Sequence, residues 1–140
     1  MTFDAKLMCG IILLTVPSIQ YGGYFLLTSL MDRGSGYMDN PLRQNFFRAG
    51  HAHAGVFIIL ALVCQLLADA ATLPVWLLWL ARAGAPAAAI LLPAGFFVSV
   101  AAPKATKPNT LVSLIYAGAL SLAFSVVTLG IGLLRSLKAA

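Results

Sequence analysis

Four apolar stretches dominate the chain, close to residues 7–31, 46–68, 75–101 and 110–134. Each exceeds the roughly 20 residues that a helix needs to cross about 30 Å of bilayer hydrocarbon. Only helices and closed barrels satisfy every backbone polar group without water. A barrel would show alternating segments of about 10 residues, which the sequence lacks. The stretches predict an all-α, integral membrane four-helix bundle with four transmembrane spans and both termini on the same side.

The composition also indicates a lipid environment. Hydrophobic residues make up 61% of the chain and charged residues 9%, against about 45–50% and about 25% in soluble proteins. A chain of 140 residues is expected to form one domain, residues 1–140, and a soluble domain of that size could not cover so much apolar surface. The net charge is +5. Most of the basic residues that give this charge lie outside the apolar stretches, where lipid headgroups attract them. We therefore expect contact with the lipid bilayer of a cell membrane (inner or plasma), and no nucleic acid.

The connections between the spans contain helix-start signals. In the long loop 32–45, Asn40 suits a helix cap and Pro41 a first helical turn. The second helix is therefore predicted to begin near Pro41. Four basic residues fall on the side of the termini and five on the other side. This near balance leaves the membrane orientation open.

Polar and small residues inside the spans suggest how the helices associate. Packing in lipid depends on small residues and on interhelical hydrogen bonds, and the third and fourth stretches carry stripes that include Gly84, Gly95 and Ser121. Gln65 is expected to form an interhelical hydrogen bond. Arg82 lies about two turns inside the third stretch, and we expect its side chain to snorkel toward the interface.

The main chemical clue is a pair of histidines, His51 and His53, about one turn into the second stretch. An ionisable residue inside a span suggests function, and imidazole is a common ligand of metals and haem. Residues two apart on a helix point about 200° apart, so the pair cannot bind one metal from a regular helix. His51 shares its face with Gln65 and Asp69, and this more polar stripe favours His51 as the interior residue.

Other residues are expected at the same membrane depth. Tyr24 on the first helix and Tyr116 on the fourth would join the imidazoles in one layer, beneath a basic rim that includes Arg48. Such a layer could hold an anionic amphiphile such as haem, a quinone or a lipid headgroup. Two alternatives remain open. The histidines could make structural hydrogen bonds between helices, or they could handle protons.

The segment Phe46-Phe47-Arg48-Ala49-Gly50-His51-Ala52-His53-Ala54-Gly55 resembles a His-x-His helix start in relatives of the haem–copper oxidase catalytic subunit. The resemblance covers about ten residues and implies haem b near one membrane face, with His51 or His53 as the metal ligand. That superfamily has about twelve spans and further copper-binding histidines, which this chain lacks. Copper and oxygen reduction are therefore not implied, and a second haem ligand would have to come from another protomer or subunit.

Two hypotheses of function follow from the sequence. In the first, the chain is a small membrane protein that binds haem or a quinone and is linked to electron transfer. In the second, it is a non-catalytic accessory or assembly subunit without a cofactor. Either would act as a homo-oligomer or as a subunit of a larger membrane complex. An enzyme is the least supported class, because the chain has no glutamate and its aspartates lie in tails or loops.

Overall fold

The computed structural model describes residues 1–137, apart from the side chain of Arg33. This part of the chain contains four α-helices and no strand, and each helix is long and apolar enough to cross a membrane. The predicted fold class is therefore confirmed. The helices are α1 (Phe3–Met31), α2 (Pro41–Ala68), α3 (Val75–Ser99) and α4 (Ser113–Ser136), with short 3₁₀ turns at Arg33–Ser35 and Thr110–Val112.

Polar caps set the starts of α1 and α2. The Asn40 side chain accepts a hydrogen bond of 3.1 Å from the backbone N–H of Arg43, and Pro41 occupies the first turn, as the sequence predicted. The Thr2 hydroxyl accepts from the N–H of Ala5 at 3.2 Å. Because of this second cap, α1 begins a turn earlier than its hydropathy alone indicated.

Small residues bring α3 and α4 into close contact. A methyl group added at Gly84 would lie 2.9 Å from the backbone oxygen of Ser121, and one added at Gly95 would lie 2.8 Å from the backbone nitrogen of Ile115. The Ser121 hydroxyl also donates to the Gly84 carbonyl at 2.9 Å. The small-residue stripes therefore pack within one chain, in the way that helices associate in lipid.

Arg82 corrects the sequence prediction, because its side chain turns into the bundle instead of snorkelling and is 2% exposed. Pro86 has no N–H to donate to the carbonyl four residues earlier, and the Gln65 side-chain amide donates to that Arg82 carbonyl at 2.8 Å. In return, the Arg82 guanidinium donates to the Gln65 carbonyl at 3.1 Å and to an Asp69 carboxylate oxygen at 2.6 Å. These partners compensate the buried charge, and they confirm the interhelical role expected of Gln65.

At the opposite end of the bundle, the loop after α1 closes over the loop after α3. Tyr37 is buried in a cluster with Leu26, Phe47 and Val100. The Asn40 side-chain amide donates to the carbonyls of Pro103 and Ala105, both at 3.0 Å, and so joins the two loops. We call this region the loop cap, defined by residues 32–40 and 100–109.

Helix α1 is the most peripheral of the four. It packs against α2, whereas its direct contact with α3 is marginal at most. Its buried residues are Ala5, Ile12 and Leu26, spaced by multiples of seven, so they form one narrow seam along the helix. This arrangement leaves an open space between α1 and α3, with α2 as its floor.

Candidate functional site

The space between α1 and α3 is an apolar cleft of about 330 Å³. Its walls include Ile12 and Ile19 on α1, Ile58 on α2, and Pro86 and Ile90 on α3. The cleft is open along one side, which faces lipid when the four helices cross a bilayer. Its volume falls within the range of about 300–1,000 Å³ that is typical of small-molecule sites.

His51 lies at the end of this cleft nearer the loop cap. It is the eleventh residue of α2, and at 1.5 Å per residue its Cα lies about 15 Å along the helix from Pro41. The imidazole faces two glycines of α1. A methyl group at Gly23 would lie 3.2 Å from both Cε1 and Nε2, and one at Gly22 would lie 3.5 Å from Nδ1. The glycine pair therefore makes room for the ring between the two helices.

The hydrogen bonds of the cleft lining leave His51 as the polar side chain without a partner among residues 1–137. The Thr15 hydroxyl donates to the Ile12 carbonyl at 2.7 Å, and the Ser18 hydroxyl donates to the Thr15 carbonyl at 2.6 Å. Both hydroxyl protons are thus used within α1. Among residues 1–137, the hydrogen bonds of the histidines involve His53 and not His51. The His51 ring can therefore donate or accept a hydrogen bond toward a molecule in the cleft.

His53 lies on another side of α2. Its Nδ1 is 2.6 Å from the Ala49 carbonyl oxygen, and its ring packs against Phe57 and Phe96 at centroid distances of 5.3 and 5.0 Å. It lines a shallow groove of about 190 Å³ with Ala52 and Val56. When Nδ1 carries the proton, its N–H donates a hydrogen bond to the carbonyl oxygen, and Nε2 keeps a free lone pair. The two imidazoles thus belong to separate surfaces.

Three other residues predicted for the site do not reach the cleft. Tyr24 is 63% exposed and Tyr116 is 67% exposed. Tyr24 points outward because the neighbouring glycines of α1 face His51. Tyr116 points away because Gly118, two residues on, faces α3. Within residues 1–137 the tyrosines therefore do not join the imidazole in the cleft, and they suit the aromatic belt of a membrane interface.

Arg48 is also outside the cleft lining. It lies one turn before His51 on α2, is exposed, and donates to the Gln44 side-chain oxygen at 3.4 Å. Its positive charge, with that of Arg43, opposes the rise that burial causes in the pKa of Tyr37. Arg48 therefore belongs to the rim beside the loop cap, above the imidazole.

The structure adds residues to the site that the sequence reasoning missed. Gly22 and Gly23 receive the His51 ring, and Pro86 and Pro93 shape the wall on α3. A signal was present in the sequence. Two adjacent glycines inside a helix cost about 1 kcal/mol each relative to alanine, and such a cost is often offset by close approach of another group.

Among residues 1–137, no three histidine, cysteine or acidic side chains come together as a ligand set for a metal ion. Comparisons with family models, with curated proteins and with solved structures find no match for this chain. The fold and the site therefore define its class. The chain is a four-helix membrane protein with an apolar cleft that ends at one imidazole.

Proposed function

We propose that this chain is an integral protein of a cell membrane, inner or plasma, that binds a lipid-soluble quinone in the cleft between α1 and α3. His51 is the polar contact of the quinone head, and the protein serves electron transfer. The observation that carries the proposal is an apolar cleft of about 330 Å³ that ends at an imidazole without a partner among residues 1–137. Haem, the other cofactor suggested by the His-x-His segment, is a second candidate at a different surface.

The chemistry of a quinone matches the two parts of the cleft. An apolar tail is soluble in the bilayer and would leave through the open side between the helices. A neutral imidazole can donate a hydrogen bond to a quinone carbonyl, and it can accept one from the phenolic O–H of the reduced form. The same residue can therefore hold either redox state and pass a proton at its ring nitrogen.

The redox step requires a partner. Reduction of a quinone to a hydroquinone consumes two electrons and two protons. None of the side chains that line the cleft is an electron donor. The electrons would therefore come from a redox protein in the same membrane. We therefore propose that the chain works within a larger membrane complex or as a homo-oligomer that docks on one.

Isothermal titration of the detergent-purified protein with a decyl-substituted benzoquinone tests this proposal. We expect His51→Ala to weaken binding by about tenfold, the effect of losing one hydrogen bond worth about 1.4 kcal/mol. His53→Ala is the matched control, since it removes the same side chain at a similar depth from another surface, and it should leave the affinity unchanged. Equal loss in both variants, or no binding by the wild type, would refute the assignment.

The second candidate rests on one observation, the 2.6 Å contact between His53 Nδ1 and the Ala49 carbonyl. Metal-binding histidines commonly donate their other N–H to a carbonyl or carboxylate, which fixes the ring and its tautomer. His53 would then offer Nε2 to haem iron, and a second ligand would have to come from another protomer or subunit. Reduced and oxidised absorption spectra after haem addition test this. The Soret and α bands should vanish in His53→Ala and persist in His51→Ala.

A flat absorption spectrum together with no quinone binding would refute both candidates. The remaining function would then be the non-catalytic one, an accessory or assembly subunit without a cofactor. Its measurable consequence is co-purification with a membrane complex whose yield falls when the chain is deleted.

A further inference from the structure

The Asp69 carboxylate connects α1 with α3, the two walls of the cleft. It accepts hydrogen bonds from the Thr2 hydroxyl at 2.6 Å and from the Thr2 backbone N–H at 2.7 Å. It also accepts from the Arg82 guanidinium of α3 at 2.6 Å. The Met1 amino nitrogen lies 3.7 Å from the same carboxylate. Asp69, at the end of α2, thus binds both Thr2, which caps α1, and Arg82, which is buried in α3.

The two partners of Asp69 differ in their freedom to move. Arg82 is 2% exposed, and its guanidinium and carbonyl both bond Gln65, so α3 and α2 hold it in place. Thr2 is exposed, and it leads into α1, which packs mainly against α2 and whose first half is buried only at Ala5 and Ile12. If the contact breaks, Thr2 and the first half of α1 are therefore the parts that move.

The remainder of α1 offers both an anchor and a point of flexion. Leu26 is anchored in the loop-cap cluster. Two features between this anchor and Thr2 make α1 flexible. Pro17 removes one backbone hydrogen bond of the helix. The adjacent Gly22 and Gly23 allow the widest range of backbone conformations. The first half of α1 can therefore swing about this region while its other end stays attached.

We propose that the Thr2–Asp69–Arg82 contact is a latch that holds α1 close to α3, so that its release widens the side of the cleft that is open to the bilayer. A lipid-soluble molecule would enter and leave through this lateral opening. The role of the latch in controlling a ligand rests on the proposed function. The movement of α1 does not, and it can be measured without any ligand.

Distances between spin labels test the movement. Labels at Leu7 and Leu80, both about half exposed, report on the latched ends of α1 and α3 after Cys9 and Cys64 are replaced by alanine. Thr2→Val removes the hydroxyl contact with Asp69 and the cap on the Ala5 N–H, and it keeps the Thr2 backbone bond and the Asp69–Arg82 pair. Asp69→Asn leaves the Ala5 cap intact, so it separates the latch from the cap. We expect a longer-distance population to rise about tenfold relative to the closed one, the effect of losing one hydrogen bond to a charged group.

Matched controls isolate the latch. Thr2→Ser keeps the hydroxyl and should restore the closed distance. A second label pair at Leu27 and Val98, near the loop cap, should not change in any variant. Asp69→Asn tests the same contact from its other side, and circular dichroism confirms that each variant keeps its helices. An unchanged Leu7–Leu80 distance in both folded variants would overturn the proposal.

The quinone measurement separates the latch from the proposed function. With the decyl-substituted benzoquinone, Thr2→Val should raise the association and dissociation rates together by several-fold and leave the dissociation constant nearly constant. Altered label distances with unchanged rates would overturn the gating role. If the wild type binds no quinone, the proposed function fails, and the label distances still decide whether the latch exists.

Discussion

Replacement of Gly118 by alanine should destabilise the bundle, because α4 meets the α3 backbone at this position. An added methyl carbon would lie 2.8 Å from Leu92 Cγ and 2.9 Å from the Leu92 backbone nitrogen. The side chain of Leu92 could rotate away, but its backbone nitrogen is fixed in α3. The two helices would therefore have to separate by about half an ångström to restore ordinary van der Waals contact, in an interior packed as tightly as a crystal.

The magnitude follows from two opposing effects. Overpacking of this kind costs about 1–3 kcal/mol, and alanine in place of glycine returns up to about 1 kcal/mol of helix propensity. We expect a net loss of about 1–2 kcal/mol in the free energy of unfolding. Gly130 in the same helix is the matched control, since a methyl group there would meet nothing within 4 Å. Gly130→Ala should be neutral or slightly stabilising.

The assay is unfolding of both variants in mixed micelles by increasing sodium dodecyl sulfate, followed by far-ultraviolet circular dichroism. We expect an earlier midpoint for Gly118→Ala than for Gly130→Ala. Equal midpoints would show that α3 and α4 are not in close contact at Leu92.

Three further predictions concern polar contacts. In the same unfolding assay, Asp69→Asn should cost about 3 kcal/mol, because it leaves the Arg82 charge buried without its counter-ion, and adding Arg82→Met should recover part of that loss. The pKa of Asp69 is held well below its usual value, first by the Thr2 hydroxyl and then by Arg82. The carboxylate's stabilisation is therefore complete above the ordinary carboxyl pKa of about 4 and is lost as the pH falls toward the lower folded value. Thermal unfolding should show a midpoint that is flat above about pH 5 and falls in acid for the wild type, and that varies less with pH in Asp69→Asn. Asn40→Ala should cost at least about 1 kcal/mol through loss of the α2 cap, which urea or dodecyl sulfate titration would detect, whereas Asn45→Ala on the exposed side should change little.

The fold was predictable because hydropathy depends on long runs of residues. Four apolar stretches and the cap at Asn40 were sufficient to place the helices. The direction of Arg82 was not predictable in the same way. Its burial depends on Asp69 and Gln65, which a turn between helices brings within reach, and on the carbonyl that Pro86 leaves free. Insertion costs for an isolated arginine cannot include such partners.

The candidate site was predictable only in part. The spacing of His51 and His53 correctly implied that they point to different sides of α2. Tyr24 and Tyr116 were expected beside the imidazoles from their depth in the membrane, but a similar depth does not fix which way a side chain faces, and neither lines the cleft. That direction is set by the glycines on which each helix packs. The resemblance to haem–copper oxidase relatives stays a prediction, to be decided by the absorption spectra.

Photo-crosslinking with an azide-bearing quinone would locate the bound molecule, because mass spectrometry identifies the labelled peptides. We predict labels on three helices, within 11–22 of α1, 51–58 of α2 and 86–97 of α3. An excess of the decyl-substituted benzoquinone should compete with these labels, and His51→Ala should reduce them. Labels spread over the exposed faces of α1 and α4, without competition, would contradict the claim that the cleft is a quinone site.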